Sequence, residues 1–311
     1  MTLRLIGAVT LLAAAATGLG AAAKSGLGAA APVPQARPKA FTQCGEEPGW
    51  DDPAEPFHVF GNTWYVGTCG ITALLVTSPR GHILIDGATE KGGEQIAANI
   101  VKLGFRMADV KAMVASHAHG DHVGGFAHLQ RLSGAPVWSR GDDVIALRAG
   151  RGGPKDPQYR SAPPFPAVAE VREARPGRAV RVGPLALMPV DSTGHTLGGT
   201  SWTWRSCEGA EEGGRCLSFA YVDSLTAISD DGFRYSDAAA NPGLKDRFVA
   251  TVARIGQQPC DVLLTPHPTV SAMWQRLGPG ATQPLIQRGA CRALAERAHQ
   301  RLAERLAKEV Q

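Results

Sequence analysis

Three histidines and an aspartate fall within six positions of one another, in the run His117-Ala118-His119-Gly120-Asp121-His122. The run follows the apolar segment 110–115, which is typical of a buried strand. In an extended loop alternate residues point the same way, so His117 and His119 can reach one metal ion together. Asp121 and His122 follow on a tightening turn and can face a second ion close by. Imidazole and carboxylate groups suit zinc, so the run predicts a zinc site just past a strand.

Two further histidines have a similar setting. His195 lies in the motif Thr-Gly-His-Thr between two predicted strands, and His267 lies in the motif Thr-Pro-His-Pro directly after another. Polar residues that follow strands commonly form active-site loops in layered α/β proteins, so both are candidate ligands. A lone histidine is more often structural, and this interpretation is kept for the other four: His58, His82, His128 and His299.

Composition describes a globular chain and excludes one class of partner. The 311 residues are 44% hydrophobic and 19% charged, which is enough apolar material for a full core. The formal net charge is only +4, and no run of lysine and arginine is interleaved with aromatic residues. Nucleic acid is therefore not an expected partner.

The first residues have the pattern of an export signal. Arg4 precedes an apolar run from 5 to about 19, and three alanines at 21–23 offer a cleavage site. We predict a signal peptide at 1–23, with cleavage possible as late as 31, a flexible leader at 24–43 and one domain at 44–311. The alternative is a membrane anchor, but the run is short and rich in alanine and glycine. After cleavage we expect a periplasmic protein with no membrane association.

The six cysteines fit an exported protein. None forms a Cys-x-x-Cys pair or lies beside the histidine run, which argues against zinc-finger and thioredoxin chemistry. An even number behind a signal peptide suggests three disulfides, whose pairing the sequence leaves open. Only Cys207 and Cys216 are favoured locally, because they flank a loop rich in glycine and glutamate between two predicted strands. The alternative is free buried thiols.

The order of predicted elements favours a single layered domain. Strands are predicted at 57–60, 63–66, 72–77, 82–86 and 110–115, with a helix at 94–103. The second half repeats this pattern, with strands at 179–182, 185–189, 200–205, 217–222 and 262–265, and helices at 244–256 and 287–310. The segment 150–167, rich in glycine and proline, is predicted to be a mobile surface loop. Two such halves without a linker predict two sheets packed together with helices outside.

The His-x-His-x-Asp-His run is also the hallmark of the metallo-β-lactamase superfamily, which this chain resembles from about residue 57 to its end. It is most similar to the third subclass, B3, and within it to the disulfide-rich acquired carbapenemases. The most discriminating segments are Asp223-Ser224-Leu225 and Thr265-Pro266-His267-Pro268. The resemblance implies an α/β fold, a four-layer αβ/βα sandwich with two mixed sheets face to face. Further matching segments are 81–86, 194–196, 200–204, 221–222 and 260–264.

The resemblance also implies two zinc ions and their ligands. One would be held by His117, His119 and His195, and the other by Asp121, His122 and His267. Ser224 stands near the position where the first two subclasses have a ligand cysteine, and would orient a water. The implied substrate-binding residues are Ser224 and Thr226. Tyr159 and Arg160, which lie in the predicted loop 150–167, are predicted to bind substrate as part of the pocket wall. The implied disulfides are Cys44–Cys69, Cys207–Cys216 and Cys260–Cys291.

Two positions depart from the pattern or leave a role open. Leu197 stands where many members have proline after Gly-His-Thr, and little effect on chemistry is expected because the ligand and its glycine remain. Asp223 is an acidic residue in a region where superfamily hydrolases other than the lactamases use an aspartate to bridge the metals. The sequence leaves that alternative open for Asp223.

The implied activity is hydrolysis of the β-lactam amide of penicillins, cephalosporins and carbapenems, which confers antibiotic resistance. A zinc-bound hydroxide would be the nucleophile, with Asp121 and Ser224 as catalytic residues, and the protein would act as a monomer on this small-molecule substrate. One rival is another binuclear zinc hydrolase of the same fold, such as a glyoxalase II-type thioesterase or a lactonase. A second rival is a non-catalytic zinc-binding protein of the periplasm.

Overall fold

Two β-sheets, of seven and five strands, form the centre of the described part of the chain. The computed structural model describes residues 44–45, 47–209 and 214–310, which all belong to one compact unit. The predicted signal peptide (1–23) and the predicted leader (24–43) both lie outside the described residues. Among the described residues, no helix is long and apolar enough to cross a membrane.

The first sheet pairs its strands in chain order. They are β1 (Phe57–Phe60), β2 (Thr63–Tyr65), β3 (Leu74–Val76), β4 (His82–Ile85), β5 (Val110–Val114), β6 (Val137–Ser139) and β7 (Val171–Glu173). Strands β1 to β4 are antiparallel, whereas β4 to β7 are parallel. The helices that accompany this sheet are α1 (Glu90–Lys102), α2 (Gly120–Val123), α3 (Phe126–Ser133) and α4 (Gly141–Ala149).

The second sheet has the order β12-β11-β10-β9-β8. Its strands are β8 (Val180–Val182), β9 (Leu185–Asp191), β10 (Thr200–Cys207), β11 (Cys216–Tyr221) and β12 (Val262–Leu264). Only the β11–β12 pair is parallel, so this sheet is mixed as well. The remaining helices are α5 (Leu244–Gly256), α6 (Met273–Arg276) and α7 (Ala290–Glu309), and short 3-10 helices lie at Met107–Asp109 and Pro268–Ser271.

Each sheet buries both of its faces. Side chains alternate along a strand, so Ile83 of β4 packs with Trp202 and Phe219 of the second sheet in one apolar cluster. Leu84, the next residue, instead packs under the helices of the first sheet in a second cluster. A third cluster joins the outer face of the second sheet to α5 and α7, for example through Leu294. These four layers confirm the predicted αβ/βα sandwich.

Helix α1 starts earlier than the sequence predicts. Its predicted range was 94–103, but it begins at Glu90, where the Thr89 side chain accepts a hydrogen bond from the N–H of Gly92 (2.8 Å). The pair Gly92-Gly93 argues against a helix on propensity alone. Tertiary packing explains it, because a Cβ on Gly93 would lie 2.5 Å from the Cα of Gly125. The glycines let α1 approach the chain just after the histidine run.

Short elements after the histidine run were not predicted. Strands β6 and β7 have three residues each, too few for an alternating pattern to be recognised. Helix α4 carries Asp142 and Asp143 in its first turn, and Asp143 is buried. The sequence therefore did not predict the part of the first sheet beyond β5.

The three disulfides of the described residues are Cys44–Cys69, Cys207–Cys216 and Cys260–Cys291, the pairs that the family resemblance implies. The first ties the start of the described chain to a buried loop before β3, and the second joins the facing ends of β10 and β11. The third attaches the first turn of α7 to the segment before β12. Each such cross-link typically stabilises the fold by about 2–4 kcal/mol.

The end of α7 is held by one carboxylate. Glu309 accepts hydrogen bonds from the N–H groups of Tyr235 (3.0 Å) and Ser236 (2.8 Å) and from Arg305 (2.7 Å). Burial alone would raise the pKa of Glu309, but these hydrogen bonds hold it below its usual value of 4.5. The contribution of Glu309 to stability is therefore present above about pH 4.5 and lost as the pH falls through the folded-state pKa.

We expect Glu309→Gln to lower the free energy of unfolding by about 1–2 kcal/mol at pH 7, since two of the three hydrogen bonds are lost or weakened. The difference from the parent should shrink as the pH falls below 4.5. Urea unfolding at several pH values measures it, with the exposed Glu304→Gln on the same helix as control. A difference that stays constant with pH would contradict the assignment.

Candidate metal centre

Three buried histidines from two loops form the first ligand cluster. His117 and His119 lie in the extended segment between β5 and α2, and His195 lies in the turn between β9 and β10. One ring nitrogen from each lies within 4.8 Å of the others. The structure thus brings His195 next to the histidine run, although strands β6 to β9 separate the two along the chain.

Hydrogen bonds on the other ring nitrogens orient these three imidazoles. Asp223 Oδ1 lies 2.8 Å from His117 Nδ1, Asp156 Oδ1 lies 3.2 Å from His119 Nε2, and the Thr226 carbonyl lies 3.0 Å from His195 Nδ1. Such partners leave the opposite nitrogen of each ring with its lone pair, as metal-bound histidines require.

The second cluster consists of Asp121 and His122 on α2 and His267 just after β12. The Nε2 atom of His122 lies 3.2 Å from His267 Nε2 and 3.1 Å from Asp121 Oδ2, which in turn lies 3.5 Å from His267 Nε2. The three ligand atoms therefore form a small triangle. The two clusters are adjacent, because His117, Asp121 and His122 also offer ligand atoms within 4.8 Å of one another.

The protonation states suit metal binding. Burial, together with neighbouring His119, lowers the pKa of His195 to about 3, and burial with neighbouring His122 lowers the pKa of His267 to about 4. Burial alone would raise the pKa of Asp121, but the charges of His122 and His267 hold it well below its usual range. At neutral pH His195 and His267 are neutral imidazoles and Asp121 is a carboxylate, the forms that bind zinc. Although burial opposes it, the adjacent Asp121 raises the pKa of His122, and a metal ion would compete with that proton.

The donor set fits zinc. One cluster offers three imidazole nitrogens, and the other offers two imidazole nitrogens and a carboxylate oxygen, all of which are common zinc ligands. All cysteines of the described residues are in disulfides, so none is available as a thiolate ligand. The histidines assigned structural roles from the sequence (His58, His82, His128 and His299) belong to neither group.

Asp86, at the end of β4, holds the start of the histidine run. Its backbone is left-handed, with φ 58°. Its carboxylate accepts hydrogen bonds from the Ser116 N–H (2.7 Å), the Ser116 hydroxyl (2.7 Å) and the Tyr221 hydroxyl (2.6 Å). The first sheet, the second sheet and the residue before His117 are therefore joined through one buried side chain.

Asp223 is the hydrogen-bond partner of the His117 imidazole. Its Oδ1 atom faces Nδ1 of that imidazole, while its Oδ2 atom is buried without a hydrogen bond among the described residues. Burial strongly raises the pKa of Asp223. This geometry favours a role in orienting a ligand over the metal-bridging alternative left open by the sequence.

A cavity of about 340 Å³ opens over both clusters. Ser224 and Thr226 line it, as the resemblance implies for substrate-binding residues, and Thr226 Oγ1 lies 3.1 Å from His195 Nδ1. Tyr159 and Arg160 are not among its described lining residues, whereas their neighbours Gln158 and Ser161 are. The Tyr159 ring instead lies against the Arg151 guanidinium (4.8 Å), and the Arg160 N–H donates to Asp230.

Gln158 and Asp156 are site residues that the sequence analysis missed. The amide nitrogen of Gln158 lies 3.4 Å from both His119 Nδ1 and His195 Nε2, the two nitrogens left for metal. Asp156 contacts the other nitrogen of His119. Both lie in the segment 150–167, which contains no regular strand or α-helix but folds over the histidines. Its composition indicates a loop and carries no signal of which residue points inwards.

Asp143, also missed, joins the two loops that carry the first cluster. Its carboxylate accepts hydrogen bonds from the N–H of Ala118 (3.0 Å), the hydroxyl of Thr196 (2.9 Å) and the N–H of Gly198 (3.1 Å). Ala118 lies between His117 and His119, and Thr196 follows His195. The carboxylate therefore sets the distance between the two loops.

We expect Asp143→Ala to weaken zinc binding by about tenfold or more, in the range found for residues that support metal ligands. It should also lower the free energy of unfolding by about 2 kcal/mol or more, because two buried N–H groups lose their acceptor. Competition with a chromophoric chelator measures the affinity. The exposed neighbour Asp142→Ala is the matched control, and equal zinc affinities for the two variants would refute the bridging role.

Comparison with known proteins identifies the family that the histidine motifs resemble. Residues 66–208 match the model of the metallo-β-lactamase superfamily. MEM-A1, a subclass B3 metallo-β-lactamase from a soil metagenome library, is 43% identical, with 84% of this chain and 99% of that chain covered and a TM-score of 0.78.

Two further solved structures agree. MIM-1 from Novosphingobium pentaromativorans is 41% identical over 88% of this chain and 98% of its own, with a TM-score of 0.80. SMB-1, solved with 2-mercaptoethanesulfonate, is 42% identical over 84% of this chain and 99% of its own, with a TM-score of 0.78. With the ligand-bearing loops in place and identity above 40% across nearly the full length of these relatives, the chain belongs to the subclass B3 metallo-β-lactamases.

Proposed function

We propose that this protein hydrolyses the amide bond of β-lactam rings with two zinc ions bound at the two ligand clusters. The observation that carries the proposal is the juxtaposition of both clusters with Ser224 and Thr226 in one cavity. The cavity volume of about 340 Å³ is within the range of small-molecule sites. The metallo-β-lactamases MEM-A1 and MIM-1, at 43% and 41% identity, support the same substrate class.

The proposed ligand sets are those implied by the family resemblance. His117, His119 and His195 would hold the first ion, and Asp121, His122 and His267 the second. Zinc supplies Lewis acidity toward a carbonyl oxygen and a nucleophile derived from water at neutral pH. The protein's own part is to fix these ligands with the buried partners Asp223, Asp156 and Asp143.

Other side chains position the water and the substrate. Asp121 is the only carboxylate among the six proposed ligands, and we assign to it the orientation of the attacking water. Ser224 would donate a hydrogen bond to the same water. Ser224 and Thr226 would donate hydrogen bonds to the carboxylate on the substrate ring. The Gln158 amide, next to two of the ligand histidines, is placed to donate to the carbonyl side of the substrate. The sequence predicts Tyr159 and Arg160 in the pocket wall, but neither is among the described residues that line the cavity.

We further propose that the protein is exported to the periplasm as a monomer, with a signal peptide at 1–23, a leader at 24–43 and the catalytic domain at 44–311. The three disulfides support an oxidising compartment, where such bonds persist. In that compartment the enzyme would meet penicillins, cephalosporins and carbapenems and confer resistance to them.

Steady-state hydrolysis of one penicillin, one cephalosporin and one carbapenem, with metal content measured in parallel, tests the proposed function. We expect turnover of all three classes with about two zinc ions per chain. Dialysis against EDTA should remove the activity and added zinc should restore it. S-lactoylglutathione and an acyl-homoserine lactone serve as substrates of the rival hydrolases, and cleavage of these without β-lactam turnover would refute the proposal.

A further inference from the structure

Two arginines of the last helix line the same cavity as the metal ligands. Arg297 and Arg301 are four residues apart on α7, so their side chains leave the helix on one face. Leu294 and Ala298 line the cavity from the same face and are buried. The four residues follow the spacing i, i+3, i+4, i+7, so one stripe of α7 forms a wall of the cavity.

The wall has a fixed position. The Cys260–Cys291 disulfide attaches the first turn of α7, and Leu302 is buried beyond the stripe. Further along, Arg305 donates hydrogen bonds to the Ala227 carbonyl (3.0 Å) and the Ser229 hydroxyl (2.7 Å). The segment 224–229, which starts at the metal centre with Ser224, is thereby joined to α7.

Neither cavity-lining arginine has a partner among the described residues. Arg305 on the same helix pairs with Glu309, and Arg140 pairs with Asp191, but no salt bridge or hydrogen bond engages the guanidinium of Arg297 or Arg301. Both residues are exposed. Two like charges one turn apart repel each other weakly, and an anion between them would remove that repulsion.

The rest of the lining offers these cations no counter-charge. Among the described residues that line it, Asp121 and Asp223 are the only acidic ones, and they pair with His122 and His117. Ile228 is 54% exposed and Val270 is 40% exposed, and both line the cavity with the arginines. The outer part of the cavity therefore combines apolar surface with two free guanidinium groups, which bind carboxylates well.

From these observations we infer that Arg297 and Arg301 bind a carboxylate on the acyl side arm of the substrate, and so select β-lactams that carry a second negative charge. The inference rests on the proposed function. The ring carboxylate belongs next to the metals, where Ser224 and Thr226 lie. A side arm that extends from there along 226–228 reaches the wall formed by α7.

The test compares benzylpenicillin with carbenicillin, which differs from it only by a carboxylate on the side arm. The zinc-loaded parent, the double variant Arg297→Gln/Arg301→Gln and the control Arg292→Gln/Lys308→Gln are assayed with both. The control removes two exposed charges from the same helix, and neither of its residues lines the cavity.

In the double variant we expect the kcat/KM ratio of carbenicillin to benzylpenicillin to fall about fivefold, which corresponds to about 1 kcal/mol. The fall should lie in KM, since these contacts are made by the bound substrate before and during the reaction. About 1 M NaCl should reduce the ratio for the parent, because charges are then screened within about 3 Å. The control should keep the parental ratio.

An unchanged ratio in the double variant would overturn the inference. That result includes equal losses for the two penicillins, which would assign the arginines to the ring carboxylate or to packing, and no loss for either, which would leave them without a role in binding. Both results leave the proposed function intact because the parent still hydrolyses benzylpenicillin. A parent that hydrolyses neither compound would instead refute the proposed function and, with it, this inference.

Discussion

Replacing His195 by alanine should lower the zinc content from about two ions per chain to about one and reduce β-lactam turnover by more than a hundredfold. Loss of a residue that merely supports a ligand costs about 10–100-fold in affinity or activity, and loss of a ligand itself must cost more. His195 supplies one of the three buried nitrogens of the first cluster. Without it, only two histidines remain for that ion.

Nitrocefin hydrolysis and metal analysis of the same preparation measure the effect. His299→Ala is the matched control, because His299 is exposed on α7 and belongs to neither ligand cluster. Thermal unfolding of the variant without metal separates a loss of zinc from a loss of fold. Activity of His195→Ala within a few-fold of the parent would show that the proposed ligand set is wrong.

Replacing Trp202 by alanine should lower the free energy of unfolding by about 3–5 kcal/mol, the usual loss for a large aromatic residue in a core. Trp202 is fully buried between the two sheets, and its Nε1–H donates to the Ala115 carbonyl (2.9 Å). Ala115 lies two residues before His117, where the histidine run begins. The side chain thus both fills the inter-sheet core and holds the strand that positions His117.

Urea unfolding of the zinc-bound parent and variants measures this loss. Trp202→Phe keeps most of the aromatic volume but not the hydrogen bond, so its effect should be intermediate. Val249→Ala shortens an apolar side chain that is 40% exposed, and should change the free energy by about 0.5 kcal/mol or less. A Trp202→Ala effect as small as that of the Val249 variant would contradict the assigned role.

The structure brings the six predicted ligands close together, and they could be predicted because most of the evidence for them is local. His117 to His122 lie between the end of β5 and the first turn of α2, and their spacing predicts an extended segment followed by a tightening turn. His195 and His267 likewise follow strands. Each of these motifs could be recognised within a few residues, and family resemblance then assigned them to the two ions.

The residues that support the ligands were not predictable in the same way. Asp143 and Asp156 contact the histidine run from segments that are 25 and 37 residues away along the chain. Nothing in a short window indicates that these aspartates are buried. The same limit applies to the pocket wall, where the sequence favoured Tyr159 and Arg160 but the fold turns Gln158 toward the histidines.

Most strands, the histidine motifs and the two packed sheets could be predicted from the sequence, because periodicity and motif spacing are properties of short stretches of chain. The family, the four-layer sandwich and the assignment of ligands to two ions were implied by the family resemblance of those motifs. The tertiary structure decided which partner orients each imidazole, which loop residue faces the cavity, and that α7 brings Arg297 and Arg301 to its wall. These features depend on how the two sheets and their outer helices pack. Packing joins residues that are distant in sequence, and no local pattern records it.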